Sequence, residues 1–238
     1  MLEFRPRFSM SPSLANLEHS QRDLLLVKDN LAAYFREEII NGLLAPGEKI
    51  VEVTWAKRLK ISQTSVREAL NILSAEGFVQ KGSGRTARVT QLNDEDVSHS
   101  YQLRAVLESY AASIVAKKKS NLGDLEQALA DMRSAIECNN IKGFYERDLQ
   151  FHILLAEKTG NPMLVQAIKR IILPLFAFVV MRVQVARTSQ QQWMRSLEQH
   201  KRIIDALKTG DPVFAERQVA QTVSAFLEET KDVTLSVK

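Results

Sequence analysis

The chain has 238 residues, 45% of them hydrophobic and 25% charged, which excludes a low-complexity or disordered polypeptide and leaves room for two modest domains or one large one. Its formal net charge of +4 is compatible with nucleic acid but too mild to argue for it alone, and one cysteine, Cys138, excludes an intramolecular disulfide and fits a reducing cytoplasm. The longest apolar run, Ile171 to Met181, falls short of a bilayer span, and the N-terminus has no signal-peptide core, so no membrane role is expected.

Met1 to Arg22 is aperiodic, with Pro6, Pro12 and several serines, and reads as a loose tail, the competing account being an arm whose Arg5 and Arg7 brush DNA. From Asp23 to Asn41 the apolar residues Val27, Leu31, Tyr34, Phe35 and Ile39 form a helical stripe, which Gly42 ends. Lys49-Ile50-Val51 predicts a short strand. Glu52 to Lys60 predicts a short helix with Trp55, Ala56 and Leu59 on one side. After the tight link Lys60-Ile61-Ser62 comes a second stripe: Val66, Ala69, Leu70 and Leu73 at i, i+3, i+4 and i+7. Ser62 supplies an N-cap oxygen and Gly77 a left-handed C-cap, while Ser65 with Glu68 also fits a capping box, so two starts are open.

The opposite face of that helix carries Gln63, Thr64, Arg67 and Asn71, side chains that reach phosphates or base edges. Phe78 to Gln80 and Ala87 to Thr90 predict two strands, joined by Lys81-Gly82-Ser83-Gly84-Arg85-Thr86. Two tightly linked helices followed by a basic hairpin make a winged helix-turn-helix, with the second helix in a major groove and the wing beside it. Candidate DNA contacts are Arg67 first, then Ser62, Gln63, Thr64 and Ser65 at the helix start, and Lys81, Gly82 and Arg85 on the wing. The competing account of Arg67 is a solvent-facing ion pair with Glu68 beside Asn71.

Gln91 to Asp96 marks a boundary, where Asn93 and three acidic residues read as the cap and first turn of a new helix. Helices are predicted over Asp94–Lys118, Leu122–Cys138, Ile141–Lys158, Pro162–Arg187, Gln190–Lys208 and Pro212–Val233, with Pro174 kinking the fourth. Asn161-Pro162 and Asp211-Pro212 each place a cap residue before a proline at the first helical position. The expected organisation is a tail over 1–22, a winged helix-turn-helix over 23–92, and an all-helical bundle over 93–238. The run Ile171 to Val180 is expected to be core, and Trp193 fits core, cavity wall or dimer contact equally.

Asn41 to Ile50, Ser62 to Leu70 with its Val66-Arg67-Glu68-Ala69-Leu70, and Glu76-Gly77-Phe78-Val79 together resemble the GntR family of bacterial transcription regulators. Tyr101 to Glu108, Asp148 to His152 with Gly160-Asn161-Pro162, and His200 with Ile203, Ala206, Gly210-Asp211 and Ala215 resemble the C-terminal domain of the FadR subfamily, often called FCD. The resemblance implies a cytoplasmic, homodimeric operator-binding protein, more often a repressor, whose bundle senses a small carboxylate. Two positions depart from the family. Val53 and Gln63 stand where members often carry DNA-contacting arginines, which puts the usual operator sequence in doubt.

Within the bundle, Asp148 and His152 are four apart and share one helix face, so they can hold one metal ion together. His200 lies beside the stripe Leu197, Ile203, Ile204 and Leu207, pointing toward the bundle interior or its edge. The resemblance implies that these three are metal ligands, for zinc, manganese or nickel. A fourth ligand, a histidine in metal-binding relatives, is replaced here by Thr222. Arg104 and Glu108, also four apart, read either as an intrahelical ion pair or as a ligand-facing pair in which Arg104 forks onto a carboxylate. Asn161, with Tyr101 and Arg182, is a further candidate for the cavity wall; His19 and His99 are assigned no site. Two alternatives stay open. One is a bundle that serves only dimerisation or protein contact. The other is a metal-dependent hydrolase, which lacks a clearly placed second carboxylate or nucleophile.

Overall fold

The computed structural model describes residues 21–82, 84, 86–186 and 190–235. Arg85 and residues 1–20 of the expected tail, with His19, lie outside them, the side chain of Arg182 is likewise not described, and Gln21 and Arg22, expected in the tail, belong to the first helix. The chain opens with α1 (Gln21–Ile40), β1 (Lys49–Val51), α2 (Glu52–Leu59), α3 (Gln63–Ala75), β2 (Val79–Lys81) and β3 (Thr86–Val89). The sheet is antiparallel with β3 in the middle, pairing Ile50 with Ala87 and Val79 with Val89. Alternation along β3 buries Ala87 and Val89 and leaves Arg88 outside.

Ser62 is the N-cap of α3: its Oγ accepts the backbone N–H of Ser65 at 3.0 Å. The later start, capped by Ser65, is thereby excluded. Gly77 follows the helix with φ +83°, the left-handed turn that glycine adopts without a Cβ penalty. It has a second reason to be glycine. A Cβ there would stand 2.7 Å from Cγ of Pro174, on a helix far along the chain. α2, by contrast, ends on Lys60 in the left-handed region without any glycine.

The bundle comprises α4 (Asp94–Lys118), α5 (Gly123–Glu137), α6 (Ile141–Glu157), α7 (Pro162–Ala186), α8 (Gln190–Lys208) and α9 (Pro212–Leu235). Asn93 caps α4 in a reciprocal box with Asp96, at 2.8 and 3.0 Å. Asn161 and Asp211 cap α7 and α9 through their Oδ1 atoms. The main bundle core joins Val97, Ala112 and Val115 of α4 to Phe151 and Leu155 of α6, Ile203 and Leu207 of α8, and Val219 and Val223 of α9. A smaller cluster between α5, α6 and α8 stacks Phe144 on Trp193 at 6.1 Å, so Trp193 is core.

The head core joins Leu31, Phe35 and Ile39 of α1 to Trp55, Val66, Leu70, Leu73, Ile50 and Phe78. It also contains Phe176, Ala177 and Val180 of α7, while Ile168, Ile172, Leu175 and Phe178 of the same helix lie in the bundle core. The division at 92/93 therefore separates helices but not cores. The first nineteen residues of α7, Pro162–Val180, have a mean hydropathy of 2.0 and are long and apolar enough to cross a bilayer. The expectation drawn from Ile171 to Met181 alone undercounted this window. Within it, Ile171 to Val180 is apolar all round because this part of the helix meets both cores.

Candidate functional site

On the head, α3 presents Thr64 fully and Arg67 partly to solvent, with Lys81 and Gly82 of the wing also exposed. Arg67, Lys81 and Gly82 border a groove of about 410 Å³ between α3 and the wing, lined also by Glu52, Asn71 and Thr86. Ser62 is exposed but committed to capping, and Ser65 is buried with its hydroxyl 2.8 Å from that of Ser62. Ser65 thus belongs to the helix start, and its side chain is buried rather than presented at the surface. The correction follows from the helix phase: the residue three past the cap turns inward, one turn before Ala69.

Arg67 pairs with neither Glu68 nor Asn71. Its guanidinium meets the carboxylate of Glu52, at 2.9 Å from Nη2 and 3.2 Å from Nε. Gln63 donates to the same carboxylate at 3.0 Å. The hydrogen bonds and charge of Glu52 raise the Arg67 pKa further, so this side chain stays a cation. Val53 is an exposed apolar residue on the neighbouring helix.

In the bundle, α6 and α8 bring Asp148, His152 and His200 together, with one donor atom from each within 4.8 Å of the others. Nε2 of His200 is 2.9 Å from Oδ1 of Asp148 and 3.2 Å from Nε2 of His152. Both rings are fully buried, walled by Phe151 and by Phe226 of α9, whereas the Asp148 side chain keeps 20% of its surface exposed. The outer ring nitrogens are spoken for. Nδ1 of His200 lies 2.7 Å from the carbonyl of Ser196, an acceptor, so this nitrogen carries the proton. Nδ1 of His152 lies 2.6 Å from Oε2 of Glu108, too close for two lone pairs although poorly aligned as a hydrogen bond, so it too carries a proton.

Two Nε2 atoms and a carboxylate oxygen therefore converge at 2.9 and 3.2 Å, distances at which acceptors alone repel, so the cluster needs either a shared proton or a cation among them. Burial lowers the His152 pKa despite Glu108, keeping that ring neutral. Burial opposes ionisation of Asp148, yet His200, His152 and Arg104 hold its carboxyl below the ordinary range. Such a donor set fits a cation: two imidazoles and a carboxylate are borderline ligands suited to zinc, manganese or nickel, and Glu108 behind His152 is the orienting partner such ligands carry.

Arg104 and Glu108 form the intrahelical pair, Nε to Oε1 at 2.7 Å, both buried. The pair and the ligand-facing reading are not exclusive. Nη2 of Arg104 is buried without a partner, and the guanidinium lies 5.2 Å over the ring of Tyr101. Burial disfavours the charged form of Glu108, but Arg104 and His152 outweigh it and bring its pKa down to about 2. Glu108 holds its two cationic or donor neighbours, Arg104 and His152. Thr222 is buried on α9, 3.5 Å from Nε2 of Gln218, one turn before Phe226. Asn161 is exposed and occupied as the α7 cap, so it is not among the residues gathered here. His99 is at the surface, 3.9 Å from Glu95.

Residues 27–89 match the family model described as bacterial regulatory proteins, gntR family, and residues 99–225 match the FCD domain. Over 210 residues the chain is 27% identical to the Probable D-xylose utilization operon transcriptional repressor of Paenarthrobacter nicotinovorans, covering 86% of this chain and 91% of that protein. It is 29% identical over 224 residues to the HTH-type transcriptional regulator LutR of Bacillus subtilis (strain 168), covering 80% and 98%. Among solved structures, E. coli McbR/YncC shares the fold with a TM-score of 0.72 at 18% identity, covering 88% of this chain and 97% of that one.

Proposed function

The chain belongs to the GntR family of bacterial transcription regulators, with an FCD domain behind its winged helix, and from that premise we propose that it binds operator DNA as a homodimer and senses a small carboxylate at a divalent metal ion in its bundle. Its relatives are transcription regulators and not enzymes, so a hydrolytic role for the metal set is set aside.

One observation carries the sensing half. Asp148, His152 and His200 bring one possible ligand atom each to a single point, and Arg104, close enough to help hold Asp148 ionised, keeps Nη2 unpartnered. Three protein ligands would hold a divalent ion and leave positions for water or a carboxylate, whose far oxygen Arg104 would fork. Thr222 sits where relatives add a fourth ligand; its hydroxyl serves at most as a weak one, and fewer protein ligands leave more of the shell to the effector.

Homodimerisation is supported by α4, where Leu103, Val106 and Tyr110 stand exposed at i, i+3 and i+7, beside exposed Val213 and Phe214 of α9. One recognition helix reads too few base pairs for useful selectivity, and a two-fold pair doubles the site. Control requires that the effector favour one placement of the heads over another. α6 supplies a route: it carries Asp148 and His152, and its Tyr145 and Leu149 pack against the head core. Repression relieved by the effector is the expected sign.

The test is a thermal-shift screen of the purified protein against hydroxy acids, sugar acids, dicarboxylates and aromatic acids, with zinc, manganese or nickel and again after chelation. At a hundred times its dissociation constant a ligand adds about 2.7 kcal/mol. A carboxylate shift that vanishes on chelation, and in Asp148→Asn, supports the metal site. A shift that survives chelation leaves Arg104 as the binder without metal. No shift with any acid or metal would leave a bundle that serves dimerisation alone.

A further inference from the structure

Glu52 is not a group that sequence reasoning singles out, yet two polar side chains of α3, Gln63 and Arg67, both end on it. It is the first residue of α2, only 6% exposed. Its Oε2 accepts Nε2 of Gln63 at 3.0 Å and Nη2 of Arg67 at 2.9 Å, and both its oxygens lie 3.2 Å from Nε of Arg67. An ionised carboxylate only accepts hydrogen bonds. The amide of Gln63 must therefore turn its nitrogen toward Glu52 and its Oε1 away. Arg67 is likewise held by two of its three nitrogens, leaving Nη1 and one N–H of Nη2 uncommitted.

We infer that Glu52 is a positioning residue for operator reading: by fixing which end of the Gln63 amide faces outward, it makes that side chain an acceptor that selects a base with an exocyclic amino group. In the major groove this means N6 of adenine or N4 of cytosine, against the carbonyl oxygens of thymine and guanine. Arg67, held alongside, is left to donate to guanine or phosphate. The inference rests on the reading of α3 as the helix that enters the groove. It also bears on the family departure noted above, since Gln63 occupies a position where members often carry arginine, a donor.

The experiment selects bound duplexes from a randomised library with the full-length protein, then measures affinity for the winning duplex and its single-base variants by fluorescence anisotropy. It is run on the wild type, Glu52→Gln, Gln63→Ala and the double variant. A glutamine at 52 donates as well as accepts, so it no longer dictates how the Gln63 amide is turned. The wild type is expected to show one position per half-site restricted to adenine or cytosine, with discrimination of about tenfold against guanine or thymine. Glu52→Gln should lose that discrimination while binding to unrelated duplex is undiminished, because a negative charge behind the groove has been removed. The double variant should discriminate no less than Gln63→Ala alone.

A Glu52→Gln protein that keeps the adenine-or-cytosine preference overturns the assignment. So does one whose specific and non-specific binding fall in parallel with its melting temperature, which would make Glu52 merely structural. If Gln63→Ala itself changes no base preference, the reading of Gln63 as a DNA contact fails and takes the Glu52 role with it. That outcome is distinct from failure of Glu52→Gln alone.

Discussion

Glu108→Gln is the most searching single change in the bundle. The carboxylate is fully buried, holds Nε of Arg104 at 2.7 Å, and lies 2.6 Å from Nδ1 of His152. Glutamine keeps the volume but removes the charge, and its one oxygen cannot serve both donors while its NH2 faces the other. A buried guanidinium then loses its paired carboxylate and keeps only the more distant charge of Asp148, a loss of the kind that typically costs about 3–5 kcal/mol. In a protein of this size each kcal/mol moves the melting temperature by roughly 2–4 °C, so a drop of about 6–20 °C is expected by calorimetry on chelated protein. The second readout is metal affinity. Loss of the partner that orients a ligating histidine costs about 10–100-fold, measured by zinc titration against a competing chelator. Arg104→Met added to Glu108→Gln removes the orphaned cation. It should recover most of the stability but not the affinity, because His152 still lacks its anionic partner. A Glu108→Gln protein that melts within about 2 °C of wild type and binds zinc equally tightly would refute this account of the buried triad.

Further outcomes follow from the head and from α7. Arg67→Ala should weaken binding to the selected operator by about tenfold to a hundredfold while circular dichroism shows the head still folded; unchanged affinity in a DNA titration would remove Arg67 from the interface. Phe176→Ala should cost about 3–5 kcal/mol and lower amide hydrogen-exchange protection in α1 and α3 as well as in the bundle, because the ring is part of the head core. Protection lost only in α4–α9 would contradict that packing. Gly77→Ala combines a left-handed φ with a Cβ at 2.7 Å from Pro174, and should destabilise by roughly 1–3 kcal/mol in denaturant unfolding. Adding Pro174→Ala should return the steric part and leave the backbone part; full recovery would mean that φ is not the constraint.

Local signals carried most of the architecture. The caps Ser62, Asn93, Asn161 and Asp211 and the stripes of α1 and α3 act within a few residues, so periodicity and side-chain chemistry locate them. Asp148 with His152 was visible for the same reason, as a pair four apart on one helix. What escaped the sequence depends on distance along the chain. Glu52 meets Arg67 fifteen residues later, and Glu108 meets His152 forty-four residues later, so no spacing rule joins them. Ser65 looked available because its residue type suits DNA; the helix phase turned it inward. Asn161 carries a side chain able to line a cavity, but two backbone donors of α7 occupy it. The apolar run Ile171 to Val180 announced burial without saying against what, because a helix apolar on every side has no face to read.

The sharing of α7 between two cores limits how this regulator can be taken apart. A cut at the linker after Val89 would leave the head with a hole where Phe176, Ala177 and Val180 sat, and it would strip one side of α7 bare. Exchanging heads between relatives is therefore not an exchange of residues 1–92 alone. A working chimera must carry the matching face of α7 across with its head, together with the small residue at position 77 that lets Pro174 come close. A graft that ignores the helix would be expected to fold poorly before its DNA binding could be judged.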